Sequence, residues 1–326
     1  MSHFFPVCEC SKCLTSASEI CYFANRIKIN RTPRLHFLLF SKPLPDRFFL
    51  NAVDCFLLHF CILPLYFLPM IKNVILIGAG NLATQLGLAL SDSGVNIVQV
   101  YSRTTESARA LAGKVNASFT NDLSAIKEHC DLYIVAVKDD VVTEVASQVN
   151  FGNNLVVHTA GSLPMQILAP YSEKYGVFYP FQTFSKNKKV DFSKVPVCLE
   201  ANTPENMKNL EGVARKISYK ITPLNSDQRF VLHIAAVFSC NFVNHLYTLS
   251  EKLLNENNIN FDLLYPLIQE TTEKAMKLSP FEAQTGPSAR NDQEIIRKHQ
   301  KLLDGKPDFQ EIYRLISESI HQTHHL

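Results

Sequence analysis

Four apolar residues, Val74 to Ile77, run directly into Gly78-Ala79-Gly80-Asn81-Leu82-Ala83. No other stretch constrains the fold as strongly. It reads as strand, tight turn and helix, the opening of a dinucleotide-binding βαβ unit. Gly78 lets the chain turn sharply out of the strand. Gly80, without a Cβ, lets the backbone approach a pyrophosphate. Ala83 replaces a third glycine and still permits close packing of helix on strand. The helix start offers free N–H groups and a partial positive charge to phosphates. Leu82, Leu86, Leu88 and Leu90 make that helix amphipathic, and a second strand follows at Asn96 to Tyr101. Gly78, Ala79, Gly80, Asn81 and Leu82 are therefore the first candidate cofactor-binding residues.

The chain before this motif has a different character. All 11 glycines lie at Gly78 or later, whereas six of the nine cysteines and ten of the 22 phenylalanines precede Met70. Residues 48–69 are apolar enough to suggest a membrane span, but Asp54, His59 and Pro64 interrupt them, and a charge near mid-span is costly. Residues 1–69 are expected to be a leader outside the fold, with the folded protein starting at Met70; an anchor or a disordered extension is the alternative. Cys8, Cys10, Cys13 and Cys21 lack the paired spacing of a zinc ribbon, so no metal is expected.

From Met70 onward, 25 basic and 26 acidic residues nearly cancel. That balance points to neither nucleic acid nor an anionic membrane as a partner. Cys130, Cys198 and Cys240 are scattered, which fits a reducing, cytoplasmic setting without disulfides.

Strand candidates at 74–77, 97–101, 132–137, 155–158 and 177–179 alternate with helical stretches at 82–91, 105–111, 122–128 and 141–148. Their β-branched runs predict a doubly wound, parallel α/β sheet covered by helices. Beyond about residue 190 come short strands at 195–200 and 220–223 around a helix at 204–217. A long segment from Ser226, read as its N-cap, to Asn258 contains no Gly or Pro. Apolar residues wrap most of its circumference, so it should be buried, in a helical domain or between subunits. Further helices are expected at 262–277, 292–303 and 309–320. The predicted organisation is a nucleotide-binding domain over 70–190 and a mainly α-helical domain for substrate and dimerisation over 191–326.

At the end of the second strand an acidic residue would bind the ribose 2′-hydroxyl of NAD. Here Ser102-Arg103-Thr104 offers a guanidinium and two hydroxyls, which suit the 2′-phosphate of NADP(H). Val137 and Lys138 end the strand at 132–137, where the backbone should pass the cofactor; Lys138 either reaches a phosphate or substrate or is simply solvated. His158 ends the next strand and is either a proton donor or a hydrogen-bonded core histidine. Ser162 is either a substrate ligand or a helix cap. His233, Asn241 and Asn244 bring polar groups to the long apolar helix, where they need partners, from a substrate or from other helices. Arg290, in Thr285-Gly286-Pro287-Ser288-Ala289-Arg290-Asn291-Asp292, stands at a turn that leads into a helix and can hold an anion.

Taken together, IGAGNLA (77–83), HTAGS (158–162), YPFQTFS (179–185), HIAAVFSCNFVNHL (233–246) and TGPSARND (285–292) resemble a family of NADP-binding Rossmann proteins with a helical C-terminal domain. That family is related to pyrroline-5-carboxylate reductases and, more distantly, to ketopantoate reductases and β-hydroxyacid dehydrogenases. The resemblance covers about residue 71 to the C-terminus and implies NADP(H) at 78–83 and 102–104. It also implies a pocket for a small carboxylate substrate between domains near His158, His233, Asn241 and Arg290, and a homodimer formed by the C-terminal helices. The better-known dehydrogenases carry a catalytic lysine on their long helix, but Ser226 to Glu251 contains none. The expected activity is NADPH-dependent reduction of a small keto or imino acid, with His233 supplying a proton, Asn241 orienting the substrate and Arg290 holding a carboxylate. The alternative is an NADP(H)-binding sensor or scaffold without turnover.

Overall fold

The computed structural model describes residues 71–325. The expectations for residues 1–69, the leader and the four cysteines, lie outside the described residues. Within them the chain builds β1 (Asn73–Ile77), α1 (Asn81–Asp92), β2 (Asn96–Tyr101), α2 (Thr105–Val115), β3 (Ser118–Thr120), β4 (Leu132–Val135), α3 (Val142–Ser147), β5 (Leu155–His158) and β6 (Tyr175–Pro180). Then follow β7 (Val197–Ala201), α4 (Pro204–Ile217) and β8 (Ile221–Pro223).

The eight strands form one sheet in the order β3-β2-β1-β4-β5-β6-β7-β8. All pairs are parallel except β6 with β7, which is antiparallel. In β1, Val74 and Leu76 face one core with Ala83, Leu86 and Leu90 of α1. Ile75 and Ile77 face the other, with Tyr133, Val142, Val145 and Phe151. Both faces of the strand are therefore buried, as the unbroken VILI run requires. The sheet crosses the expected domain boundary at 190/191, because β7 and β8 continue it to Pro223.

Two expectations are corrected here. The helix predicted over 122–128 is only a 3₁₀ turn, Leu123–Ala125. Gln99 binds Ala125 O and Lys127 N, and Tyr133 Oη donates to Lys127 O, so side chains from β2 and β4 take the bonds that helix continuation would need. The N-cap of the long helix is Asn225, not Ser226. Asn225 and Gln228 form a reciprocal capping box there.

That long helix comprises α5 (Ser226–Ala236), a π-helical segment (Val237–Phe242) and α6 (Val243–Asn255). It is followed by α7 (Tyr265–Lys277), the short α8 (Pro280–Ala283), α9 (Gln293–Leu302) and α10 (Pro307–His324). The expected burial of its apolar circumference is not met within one chain: Val231 is 66 % exposed and Phe238 64 %.

Candidate functional site

The order of strands reverses between β1 and β4, and open α/β sheets bind ligands at such a switch point, beyond the carboxyl ends of the strands. A cleft of about 730 Å³ lies there. Gly78, Ala79, Gly80, Asn81, Leu82, Ser102, Arg103, Thr104, Val137 and Lys138 all line it. Every residue expected to hold the cofactor thus meets in one cavity.

Local geometry explains the motif. Gly78 has φ +129°, and a Cβ there would lie 2.2 Å from Ala136 O, so no other residue fits between β1 and β4. Above Gly80 the space is open. Gly80 caps α1 without any side-chain hydrogen bond, which leaves the first N–H groups of the helix facing the cleft without a side-chain cap. A pyrophosphate would find free donors and the positive end of a helix. Arg103 is exposed in the cleft and makes no hydrogen bond or ion pair among the described residues. The cleft carboxylates Asp139 and Glu144 follow β4 rather than β2, and Asp139 accepts a hydrogen bond from Ser162 Oγ. The donor set therefore fits a dinucleotide. Tyr101, Ser107, Thr159 and Lys186 also line the cleft and were not singled out from sequence. Lys186 comes from a loop distant in sequence, so no local motif could have marked it.

None of the four candidate catalytic residues lines this cleft. His158 is completely enclosed, which favours the core-histidine alternative over the proton donor. Its Nδ1 accepts from Ala160 N–H at 3.2 Å, and burial, aided by the Arg229 charge, pushes its pKa down to about 4. It is a neutral core histidine that shapes the turn after β5.

His233 is linked to the cleft through Tyr179 and Gly161. Its Nδ1 lies 3.2 Å from Tyr179 Oη, and its ring packs so closely on Gly161 that a Cβ there would fall 2.6 Å from Nδ1. Gly161 is two residues beyond Thr159, which lines the cleft. Burial pushes the Tyr179 phenol up to about 12, so it keeps its proton at neutral pH and can donate to His233. Tyr179 belongs to the YPFQTFS stretch, but only the fold reveals its contact with His233.

Asn241 is exposed in the π-helical segment. Eight residues along a helix from His233 is about 12 Å, too far for both to grip one small group. Arg290 is exposed, and the preceding Thr285 to Ser288 line a separate, apolar cavity of about 380 Å³ with Leu246, Leu253 and Ile316. The expected convergence of His233, Asn241 and Arg290 is not formed within one chain.

A missed group anchors the long helix. Arg229 is 1 % exposed and donates to Glu200 at the end of β7, to Leu163 O and to Ser226 Oγ. Ser226 Oγ in turn bonds Glu200 and receives Met165 N–H. Arg229 therefore fixes α5 to the sheet edge and so sets where His233 stands. Among the described residues no cluster of His, Cys, Asp and Glu could hold a metal.

Fold and cleft define a Rossmann protein of the dinucleotide-binding kind. Residues 73–161 match the family described as NADP oxidoreductase, coenzyme F420-dependent, and residues 195–320 match a domain of unknown function, DUF2520. The chain is 46% identical to a Bacteroides fragilis protein assigned to the NADP oxidoreductases, over 77% of this chain and 98% of that one, with a TM-score of 0.74. The protein belongs to this family of NADP oxidoreductases. A Thermotoga maritima protein shares the fold at 20% identity and TM-score 0.60, covering 77% of this chain and 98% of its own. An imine reductase from Myxococcus stipitatus does so at 14% identity and 0.51, covering 77% and 96%. No curated protein matches the chain.

Proposed function

We propose that the protein is an NADPH-dependent reductase of a small keto or imino acid. The observation that carries this reading is the cleft itself, with Arg103, unpaired among the described residues, where an NAD-specific site would place a carboxylate. Gly78 to Leu82 would hold the pyrophosphate, and Ser102, Arg103 and Thr104 the 2′-phosphate. When bound, the cofactor supplies a hydride at its nicotinamide ring. Thr159 and the Tyr179–His233 pair stand along the carboxyl edge, toward β5 and β6. Tyr179 holds the His233 ring and leaves Nε2 for the substrate. His233 would pass a proton from Nε2 to the oxygen or nitrogen whose neighbouring carbon receives the hydride, while Nδ1 takes the Tyr179 proton. Asn241 and Arg290 have no part in this single-chain account, because both stand outside the cleft.

The test is a screen of small keto and imino acids for NADPH oxidation, followed by His233→Ala on the best substrate. The variant should bind NADPH as before and lose about 10²–10⁴-fold in kcat. Normal turnover by the variant would make His233 structural. Tight NADPH binding without turnover of any acid would favour the non-catalytic alternative.

The long helix also points to a partner. Its 30 residues, Ser226–Asn255, are long and apolar enough to cross a membrane. Yet Arg229 ties its first turn into the sheet edge, and Asn241, Asn244 and His245 would be costly in lipid. A second copy of the chain, covering Phe230, Val231, Ile234, Phe238 and Phe242, meets both constraints.

A further inference from the structure

We propose that Lys186 is a pyrophosphate ligand of the cleft, held in place by a strap that Gln85 fastens to α1. The proposal rests on the cleft being the dinucleotide site. Lys186 lines the cavity beside Gly78 to Leu82 although it comes from the connection between β6 and β7. That connection is pinned along its length. Phe184 and Phe192 stack at 5.7 Å with ring planes 16° apart and close its two ends. Between them, Gln85 Nε2 donates to Ser185 O at 2.8 Å, and Val190 N–H donates to Gln85 Oε1 at 3.3 Å. Gln85 is 3 % exposed, so its buried amide directs both polar groups to this loop. Lys189 adds an ion pair to Asp92 at the other end of α1.

Gln85 lies one turn into α1, so the strap fixes the backbone next to Lys186 close to the helix start. Of Lys186, Lys188 and Lys189, only Lys186 lines the cleft, and it makes no hydrogen bond or ion pair with a described residue. An ammonium and the positive end of a helix that line one cleft both attract an anion placed between them. Arg103, at the end of β2, addresses the ribose end of the cleft. Lys186, fastened to α1, addresses the phosphates that NADPH and NADH share.

The experiment is titration of NADPH and NADH, at low and moderate salt, into the wild type, Lys186→Ala, Lys186→Arg and Lys188→Ala. Lys186→Ala should weaken both nucleotides by a similar factor, about tenfold, and flatten the salt dependence. Lys186→Arg should keep most of the affinity, and Lys188→Ala should match the wild type. Because Lys186 is exposed and pairs with no described residue, the melting temperature should not change. Unchanged affinity in Lys186→Ala, or an equal loss in Lys188→Ala, would overturn the assignment. A loss confined to NADPH would also overturn it, by placing Lys186 at the 2′-phosphate. If the wild type bound neither nucleotide, the reading of the cleft would fail first and this proposal with it.

Discussion

His158 shows how enclosure gives one residue a pH-dependent share in stability. In the fold it is neutral, with a pKa pushed down to about 4 first by burial and then by the Arg229 charge. In the unfolded chain it takes up a proton near its ordinary value of about 6.5. Its contribution is thus complete above about pH 6.5 and is lost as pH falls from there through about 4. Its size is on the order of 3 kcal/mol. Denaturant melts at pH 7 and pH 4.5 should show a loss of stability that His158→Asn reduces, since Asn can still accept the Ala160 N–H. An equally steep loss in the variant would assign the effect to other groups. Around the same turn, Gly161 is required for a different reason: any side chain there would displace the ring of His233.

At the scale of elements, the join between α5 and the sheet depends on the Arg229–Glu200 pair. Arg229→Ala would leave the Glu200 carboxylate buried without its cation, which costs about 3–5 kcal/mol. For a folded part of this size the melting temperature should drop by roughly ten degrees. The double variant Arg229→Met, Glu200→Leu should recover much of that loss. A thermal melt of Arg229→Ala within a degree or two of wild type would show that the helix is anchored elsewhere. Little of this join can be read from sequence, because Glu200 and Leu163 O are far from Arg229 along the chain. By contrast β1, β4 and β5 were legible, because runs such as Val74–Ile77 must be buried on both faces. The helix Pro204–Ile217 was legible too, with Thr203 capping it and proline in its first turn. The three-residue strand β3 is too short and too exposed to carry a period. The grouping of Gly78 to Leu82 with Ser102 to Thr104 along one cleft was legible because the motif is local and the switch point collects strand ends. The separation of His233, Asn241 and Arg290 was not, because it depends on helix length and on a π-helical segment that no periodicity announces.

For the whole molecule, the exposed stripe along Phe230, Val231, Ile234, Phe238 and Phe242 predicts a dimer. Light scattering after gel filtration at micromolar concentration should give twice the chain mass, and Val231→Glu with Phe238→Glu should halve it. A wild type that remains monomeric would contradict this assembly. The central claim concerns the cleft at the carboxyl edge and its choice of nucleotide. Fluorescence titration of NADPH and NADH into the wild type and Arg103→Ala tests it most directly. The account predicts that NADPH binds at least about tenfold more tightly than NADH, a difference near 1.4 kcal/mol, and that Arg103→Ala abolishes the preference. Failure to bind either nucleotide, equal affinities in the wild type, or a preference that survives in Arg103→Ala would contradict it.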